Sequence, residues 1–258
     1  MHLHRADRGR GPAVVLLHAF PLDSRMFDAL VPLLTDEMRV VTIDLPGLGR
    51  SPVPDSDPSM DDVAAGVLSV MDELLIDRAV VLGISTGGYV ALQMAERAPS
   101  RLAALVLGST TPHRMEPDLP AERWAVAHTI EELHSTAPVA DSADEGLGDT
   151  TRRERPDLVD SLERTIAGAD PDGVAWMARA IAGRSDTTAV LRSFTGPVTL
   201  LFGAEDVATP PARGEEMLAL RGRLPGRLVV VPRTGHLTPL EAPTPVADVV
   251  LELAESTR

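Results

Sequence analysis

The segment from Val80 to Gly88 contains a serine in a setting typical of a nucleophile. A continuous apolar run is followed by Gly-Ile-Ser-Thr-Gly and then by a helical pattern from about Tyr89 to Ala98. A serine at the tip of such a strand-to-helix turn has a strained backbone, and the glycines two residues before and after it let strand and helix approach closely. The hydroxyl of Ser85 would then be exposed. By itself, the pentapeptide is equally compatible with a glycine-rich loop that does no chemistry.

A nucleophilic serine needs a general base, and the base needs an acid that orients it. Among the seven histidines, His236 is the best candidate for the base. It follows the apolar run from Leu228 to Val231 and precedes a helix that begins near Pro245. The carboxyl end of a parallel strand is where open α/β sheets bind their ligands. We therefore expect His236 to act on Ser85.

The acid is expected at the end of another strand. The run from Val198 to Phe202 leads into Gly203, Ala204, Glu205 and Asp206, whereas the run from Leu102 to Leu107 ends without an acid. We expect Asp206 to orient His236, because its short side chain has few rotamers to fix and Gly203 permits a turn that aims it at the sheet. Glu205 is then expected to be a solvated surface acid.

Acyl chemistry also requires hydrogen-bond donors for a developing oxyanion. One is expected from the backbone N–H of Thr86, which follows the nucleophile at a helix N-terminus. The other is expected from the backbone N–H of Phe20, in the loop after the first strong strand. His18, in the same loop, is expected to hold that loop by a hydrogen bond.

Short apolar runs rich in valine and leucine predict buried parallel strands, because continuous apolarity indicates that both faces of the sheet are covered. Helical patterns alternate with these runs and predict a doubly wound, mostly parallel α/β sheet. The predicted strands are Met1 to Arg5 as a short edge strand, then Val14 to Leu17, Val40 to Ile43, Ala79 to Leu82, Leu102 to Leu107, Val198 to Phe202 and Leu228 to Val231. The predicted helices are Arg25 to Leu34, Met60 to Leu75, Tyr89 to Ala98, Arg213 to Leu220 and Pro245 to Ala254.

The alternation stops between residues 112 and 188, where only helical patterns occur. They cover Glu122 to Leu133, Pro156 to Ala167 and Asp170 to Ile181, and Ser135 to Thr151 is predicted to be a loop. We therefore expect a helical cap over the carboxyl edge of the sheet. The predicted division is 1–111 for the first part of the core that holds the sheet, 112–188 for the cap and 189–258 for the second part of the core.

Taken together, these motifs resemble the α/β-hydrolase fold superfamily over nearly the whole chain. The matching segments are His18 to Pro21, Asp44 to Ser51, Gly83 to Gly88, Gly203 to Asp206, and Gly235 to Leu237 with Glu241 and Pro243. The resemblance implies the triad Ser85, Asp206 and His236, and a helical cap inserted after the sixth strand. Within the superfamily, the chain most resembles the group of 3-oxoadipate enol-lactonases, esterases and cofactor-free haloperoxidases or perhydrolases. Ala19 stands where the superfamily usually has glycine.

Composition excludes several classes of chemistry. The 258 residues include no cysteine and no lysine, so thiolate nucleophiles, disulfides and Schiff-base lysines are absent. A net charge of -14 argues against nucleic acid and anionic membranes as partners. No apolar window is long enough to span a bilayer, and the run from Ala13 to Leu17 is too short for a signal peptide. A cytoplasmic protein is expected.

No cofactor and no metal site are expected. The turn Gly47-Leu48-Gly49 lacks the third glycine and the helix-opening context of a dinucleotide site. The remaining histidines are interpreted as ordinary polar positions; they are His2, His4, His113, His128 and His134.

The leading hypothesis is a serine hydrolase that cleaves a small-molecule carboxylic ester or lactone through an acyl-enzyme. The alternatives are a non-hydrolytic ligand-binding relative, or a perhydrolase or haloperoxidase activity, which ranks lower because relatives with that activity often have tryptophan where Phe20 lies. Candidate pocket walls are Met26, Trp124, Trp176 and Met177. An arginine is expected in the pocket if the substrate carries a carboxylate, and the sequence does not choose among Arg152, Arg153, Arg155, Arg179 and Arg184.

Overall fold

A computed structural model describes residues 1–116 and 119–257. In this part of the chain, seven strands form one sheet in the order β1-β3-β2-β4-β5-β6-β7, in which β1 is antiparallel to β3 and the other pairs are parallel. The strands are β1 Arg5–Gly9, β2 Ala13–Leu17, β3 Arg39–Ile43, β4 Ala79–Ile84, β5 Leu102–Gly108, β6 Val198–Gly203 and β7 Gly226–Val231. The doubly wound, mostly parallel α/β fold is thus confirmed.

Two details of the sheet differ from the predictions. The edge strand predicted at Met1 to Arg5 is wrong, because β1 runs from Arg5 to Gly9 and pairs Arg5 with Ile43. The residue types on either side of Arg5 do not mark where a strand begins. Pairing with β3 decides the bounds of the strand. Since one strand precedes β2, the helical insertion follows the fifth strand in chain order and not the sixth.

Helices cover both faces of the sheet, and a further set of helices forms the insertion after β5. The helices that do not belong to the insertion are α1 Val31–Leu34, α2 Met60–Glu73, α3 Thr86–Arg97, α9 Thr188–Ser193, α10 Pro211–Arg221, α11 Thr238–Glu241 and α12 Pro243–Glu255. Two 3₁₀ helices lie at Ser24–Phe27 and Pro99–Arg101. The single helix predicted from Arg25 to Leu34 is wrong. Pro32 has no N–H to continue a helical ladder, so a 3₁₀ helix and the short α1 replace it.

The insertion after β5 is helical, as predicted. It contains α4 Leu119–Leu133, a 3₁₀ helix at Ala137–Val139, α5 Ser142–Gly146, α6 Asp149–Glu154, α7 Pro156–Ala167 and α8 Pro171–Ala182. The loop predicted at Ser135 to Thr151 is wrong, because short helices there bury Val139, Ala143 and Leu147. Small and sparse apolar residues gave these helices too weak a periodicity to detect. The division at residues 111/112 and 188/189 stays a prediction.

Helix α8 attaches the insertion to the core by backbone packing. A Cβ on Gly173 would lie 1.7 Å from the carbonyl oxygen of Gly47, in the loop after β3. The indole N–H of Trp176 donates a 2.9 Å hydrogen bond to the carbonyl of Ser56. These contacts place the insertion over the loops at the carboxyl edge of the sheet.

Over residues 1–116 and 119–257, no helix combines the length and apolarity needed to cross a membrane.

The Gly47–Gly173 contact predicts that alanine substitution has very different effects on stability at the two glycines at opposite ends of α8. We expect Gly173→Ala to lower the free energy of unfolding by about 1–3 kcal/mol, because a Cβ there forces two backbones apart. Gly183→Ala is the matched control, since the nearest atom to its Cβ would be 3.7 Å away. Urea unfolding of both variants checks this, and equal stability of the two would contradict the close packing.

Candidate active site

The turn at Ser85 has the strained geometry that the sequence predicts. Ser85 lies between β4 and α3 with φ 51° and ψ -111°. A Cβ on Gly83 would lie 2.2 Å from the carbonyl oxygen of Gly87, and a Cβ on Gly87 would lie 2.1 Å from that of Leu17. Helix α3 begins at Thr86 and not near Tyr89, so the serine is the last residue before the helix. Its side chain is half-buried at the carboxyl edge of the sheet.

The loop after β6 and the loop after β7 bring an aspartate to a histidine. Nδ1 of His236 lies 3.1 and 3.0 Å from the two carboxylate oxygens of Asp206. Asp206 is buried and also accepts a 2.8 Å hydrogen bond from the backbone N–H of Thr209. Because a carboxylate only accepts, Nδ1 carries the proton and Nε2 of the neutral ring is left to accept one. Within the described residues no hydrogen bond joins the Ser85 hydroxyl to His236, and such a bond often tightens only when the substrate binds.

The two expected oxyanion donors lie at the ends of adjacent strands. Leu17 of β2 pairs with Gly83 of β4, so Phe20 and Ser85 follow neighbouring strand ends. The N–H of Thr86 is in the first turn of α3, where backbone donors have no intrahelical acceptor. Their role stays a prediction.

His18 holds the Phe20 loop in the predicted way. Its Nδ1 lies 3.0 Å from the carbonyl oxygen of Ala19, and its Nε2 accepts a 2.9 Å hydrogen bond from the N–H of Leu45. Complete burial lowers the pKa of His18, so the ring is neutral and Nδ1 donates. The imidazole therefore links the loop after β2 to the loop after β3.

Glu205 is not the solvated acid that the sequence suggested. Its carboxylate accepts hydrogen bonds of 2.7 Å from the N–H and 2.6 Å from the hydroxyl of Thr150, at the start of α6. These bonds lower the pKa of Glu205. Thr150 lies 55 positions earlier in the chain, so no local pattern pointed to this contact.

Glu241 makes a second contact of this kind. It accepts hydrogen bonds from the backbone N–H of Gly148 at 2.9 Å, from the Thr151 hydroxyl at 2.6 Å and from the N–H of Gly235 at 3.0 Å. In addition, the carbonyl of Gly146 accepts from the N–H groups of His236 and Leu237. We call Glu205 and Glu241 the carboxylate clamp. The clamp binds the start of α6 to the loop that carries His236.

Comparison with known proteins agrees with this geometry. A family model for the alpha/beta hydrolase fold matches residues 12–243. The chain belongs to the α/β-hydrolase fold family.

Several relatives within this family are hydrolases. The chain is 30% identical over 251 residues to a pimeloyl-(acyl-carrier protein) methyl ester esterase of Nitrosomonas europaea, covering 93% of this chain and 95% of the relative. It is 25% identical over 218 residues to 3-oxoadipate enol-lactonase 2 of Acinetobacter baylyi, covering 82% of this chain and 76% of the relative. A thermophilic esterase from Thermogutta terrifontis, solved with malate bound, superimposes with a TM-score of 0.94 at 32% identity, covering 99% of this chain and 93% of that chain. The predicted resemblance to the esterase and enol-lactonase group is therefore confirmed.

The four predicted pocket residues of this α/β hydrolase have different surroundings. Met26 and Met177 are buried in the core, and Trp176 is buried with its indole N–H bonded to Ser56. Trp124 is 49% exposed, and the Arg179 guanidinium lies 5.2 Å from its ring centroid. Whether these side chains touch substrate stays a prediction.

Most of the candidate arginines have other partners. Arg152 pairs with Asp149, Arg179 pairs with Glu131, and Arg155 donates to the carbonyl of Glu241. Arg153 is exposed. Arg184 lies over the Tyr89 ring, 4.3 Å from its centroid.

Sequence reasoning missed Arg123. This residue of α4 lies over the Phe20 ring, 5.5 Å from its centroid. Its one signal in the sequence is its place beside Trp124 in a cap helix that was expected to face the sheet.

A groove of about 510 Å³ lies elsewhere, along β1, β3 and the 3₁₀ helix after β2. It includes the buried carboxylates of Asp23 and Asp44, but Arg25 binds the first, and the N–H groups of Ser24 and Arg50 bind the second. None of the predicted catalytic residues lines it. No cluster of three or more His, Asp or Glu side chains that could hold a metal ion occurs among residues 1–116 and 119–257.

The carboxylate clamp predicts that Glu241 positions the histidine loop. In Glu241→Gln, an amide replaces one acceptor oxygen and faces N–H and O–H donors, so we expect the unfolding free energy to fall by about 2 kcal/mol. Denaturant unfolding measures this. Glu255→Gln, at the exposed end of α12, is the control and should change stability by less than about 0.5 kcal/mol. A Glu241→Gln variant as stable as the control would contradict the role of the clamp.

The lowered pKa of Glu205 predicts that the protein loses stability in acid. A carboxylate whose pKa falls on folding stabilises the protein above its unfolded value of 4.5, and this contribution is lost as the pH falls through the folded pKa. We therefore expect the unfolding free energy of the native protein to fall more steeply below about pH 4.5 than that of Glu205→Gln. Urea unfolding across this pH range checks the difference. Thr150→Val removes the hydroxyl donor, so the slope of its unfolding free energy against pH should lie between those of the native protein and Glu205→Gln. Identical slopes for all three proteins would refute the lowered pKa of Glu205.

Proposed function

We propose that this α/β hydrolase cleaves a small carboxylic ester or lactone with Ser85 as the nucleophile. The observation that carries the proposal is the Asp206–His236 pair at the same carboxyl edge as the strained Ser85 turn. The geometry leaves the Nε2 lone pair of His236 as the acceptor that a serine hydroxyl requires. The esterases and the enol-lactonase among its relatives support this class of reaction.

In the first half-reaction, the hydroxyl oxygen of Ser85 attacks the acyl carbon while Nε2 of His236 takes the hydroxyl proton. The carbonyl oxygen becomes negatively charged and accepts hydrogen bonds from the N–H groups of Phe20 and Thr86. The bond to the leaving oxygen then breaks, and His236 returns the proton to the departing alcohol. The product is an acyl-enzyme on Ser85.

In the second half-reaction, water attacks the acyl carbon and gives a proton to His236. The bond to the serine oxygen breaks, and His236 returns that proton to Ser85, which releases the carboxylic acid. Asp206 holds Nδ1–H throughout and stabilises the imidazolium that forms in each step. A lactone would follow the same route, except that its leaving oxygen stays attached to the acyl chain.

The serine is tested by substitution and by labelling. We expect Ser85→Ala to lower kcat/KM for a short p-nitrophenyl ester by at least about 10⁴-fold. Circular dichroism should show an unchanged fold. The control is Ser109→Ala, a serine at the end of the next strand, β5, which should retain activity.

A fluorophosphonate probe should label the native protein at Ser85 and leave Ser85→Ala unlabelled. Unchanged turnover in Ser85→Ala would remove the nucleophile assignment. An unlabelled, inactive native protein that retains a ligand would instead indicate a binding protein of this fold.

A further inference from the structure

The backbone around His236 is bonded to the cap. The N–H groups of His236 and Leu237 donate to the carbonyl oxygen of Gly146, at 3.1 and 3.2 Å. The preceding N–H, that of Gly235, donates to the carboxylate of Glu241 at 3.0 Å. Three consecutive backbone donors in the loop of the proposed base are therefore held by the cap itself or by Glu241.

The same loop packs closely against the cap backbone. A Cβ on Gly235 would lie 2.3 Å from the backbone nitrogen of Gly148 in the cap. A Cβ on Gly203, the last residue of β6, would lie 2.0 Å from the carbonyl oxygen of Gly235. The histidine loop thus contacts the backbone of both the cap and β6 with no side chain between them. A shift of the cap backbone would therefore be transmitted to the imidazole.

Thr151 completes this arrangement through Glu241. Its hydroxyl donates a 2.6 Å hydrogen bond to Oε2 of Glu241, and the same oxygen accepts from the N–H of Gly148 at 2.9 Å and from that of Gly235 at 3.0 Å. Thr151 is buried. A hydrogen bond from a hydroxyl to a carboxylate is about twice as strong as one between neutral groups. Thr151 therefore fixes the oxygen that in turn holds Gly235.

The position of the loop matters because His236 transfers two protons in the proposed acylation. Nε2 first takes the proton of the Ser85 hydroxyl and then gives it to the leaving oxygen. Each transfer requires Nε2 within hydrogen-bond reach of the other oxygen, and a misplacement of about 1 Å can cost about 100-fold in rate. Asp206 holds Nδ1, and the loop backbone sets where Nε2 lies relative to Ser85.

We propose that Thr151 of the cap is a positioning residue for His236 and acts through Glu241 and the N–H of Gly235. This rests on the proposed function, because it concerns the proton transfers at Ser85. The cap then sets the position of the base as well as covering the carboxyl edge of the sheet.

The test compares variants that delete the Thr151 hydroxyl with one that keeps it. Thr151→Val removes the donor at nearly constant volume, Thr151→Ala removes it with a smaller side chain, and Thr151→Ser retains it. The control is Thr165→Val in cap helix α7, where the hydroxyl donates to the carbonyl of Ser161 in the same helix. Each protein is assayed with the p-nitrophenyl and ethyl esters of butyrate, which form the same acyl-enzyme.

The two esters differ in their need for His236 as an acid. A p-nitrophenolate leaves without a proton, whereas an ethoxide must be protonated as it leaves. We therefore expect Thr151→Val and Thr151→Ala to lower kcat/KM for the ethyl ester about 10- to 100-fold, and kcat/KM for the p-nitrophenyl ester several-fold less. Thr151→Ser should retain most of the activity on both esters, and Thr165→Val should retain all of it.

Rates are expressed per site that a fluorophosphonate probe labels, so that unfolded protein is not mistaken for a positioning defect. A purely structural role for Thr151 would lower the number of labelled sites and leave the ratio of the two esters unchanged. Equal losses on both esters per labelled site, or unchanged kinetics in Thr151→Val and Thr151→Ala, would overturn the proposal. So would a loss in Thr151→Ser as large as that in Thr151→Val.

Nuclear magnetic resonance separates this proposal from the hydrolysis itself. The Nδ1 proton that His236 donates to Asp206 should give a low-field resonance in the native protein and in Thr151→Ser, assigned by its absence from His236→Asn. We expect this resonance to broaden or disappear in Thr151→Val and Thr151→Ala. An unchanged resonance in both would refute the positioning role while leaving the nucleophile intact. If neither ester is hydrolysed and Ser85 stays unlabelled, the proposed function fails, and the resonance still decides whether Thr151 holds the histidine.

Discussion

The close backbone packing around Ser85 is the constraint on which the candidate site depends. Gly83 and Gly87 bring β4, α3 and the end of β2 into contact with no side chain between them. The N–H of Ser85 donates to Gly108 of β5, and the Thr110 hydroxyl donates to the Ser85 carbonyl. Hydrogen bonds from the neighbouring strand therefore hold a serine backbone at φ 51°. Because the strands are parallel and in register, the same edge carries Phe20, Asp206 and His236.

The cap contributes to this edge as well as covering it. Glu205 and Glu241 bind the start of α6 beside the loop of His236, so the segment that covers the histidine also holds it. Farther along the edge, α4 and the end of α8 bring Arg123 and Arg184 against the rings of Phe20 and Tyr89. The carboxylates of the cap contacts are thus satisfied by N–H and hydroxyl donors.

Local patterns were sufficient where one neighbourhood in the chain decides the structure. The Gly-x-Ser-x-Gly turn, the aspartate after β6 and the histidine after β7 each follow a strongly apolar run, and helix α7 begins at Pro156 and ends at Ala167 as predicted. Local patterns failed where contacts with residues far away in the chain decide the structure. The edge strand β1 depends on β3, and the short helices between residues 137 and 154 depend on contacts with the core and with the loop of His236.

The sequence by itself determined the fold class and predicted the strained turn at Ser85 and the contact between Asp206 and His236, because apolar periodicity and glycine placement act over a few residues. Only the tertiary structure decided that Glu205 and Glu241 bind the cap and that Arg123, rather than the arginines expected, lies beside Phe20. Those contacts join residues from 55 to more than 90 positions apart. Side chains of one chemical type look alike in a sequence, and packing determines which of them meets a partner.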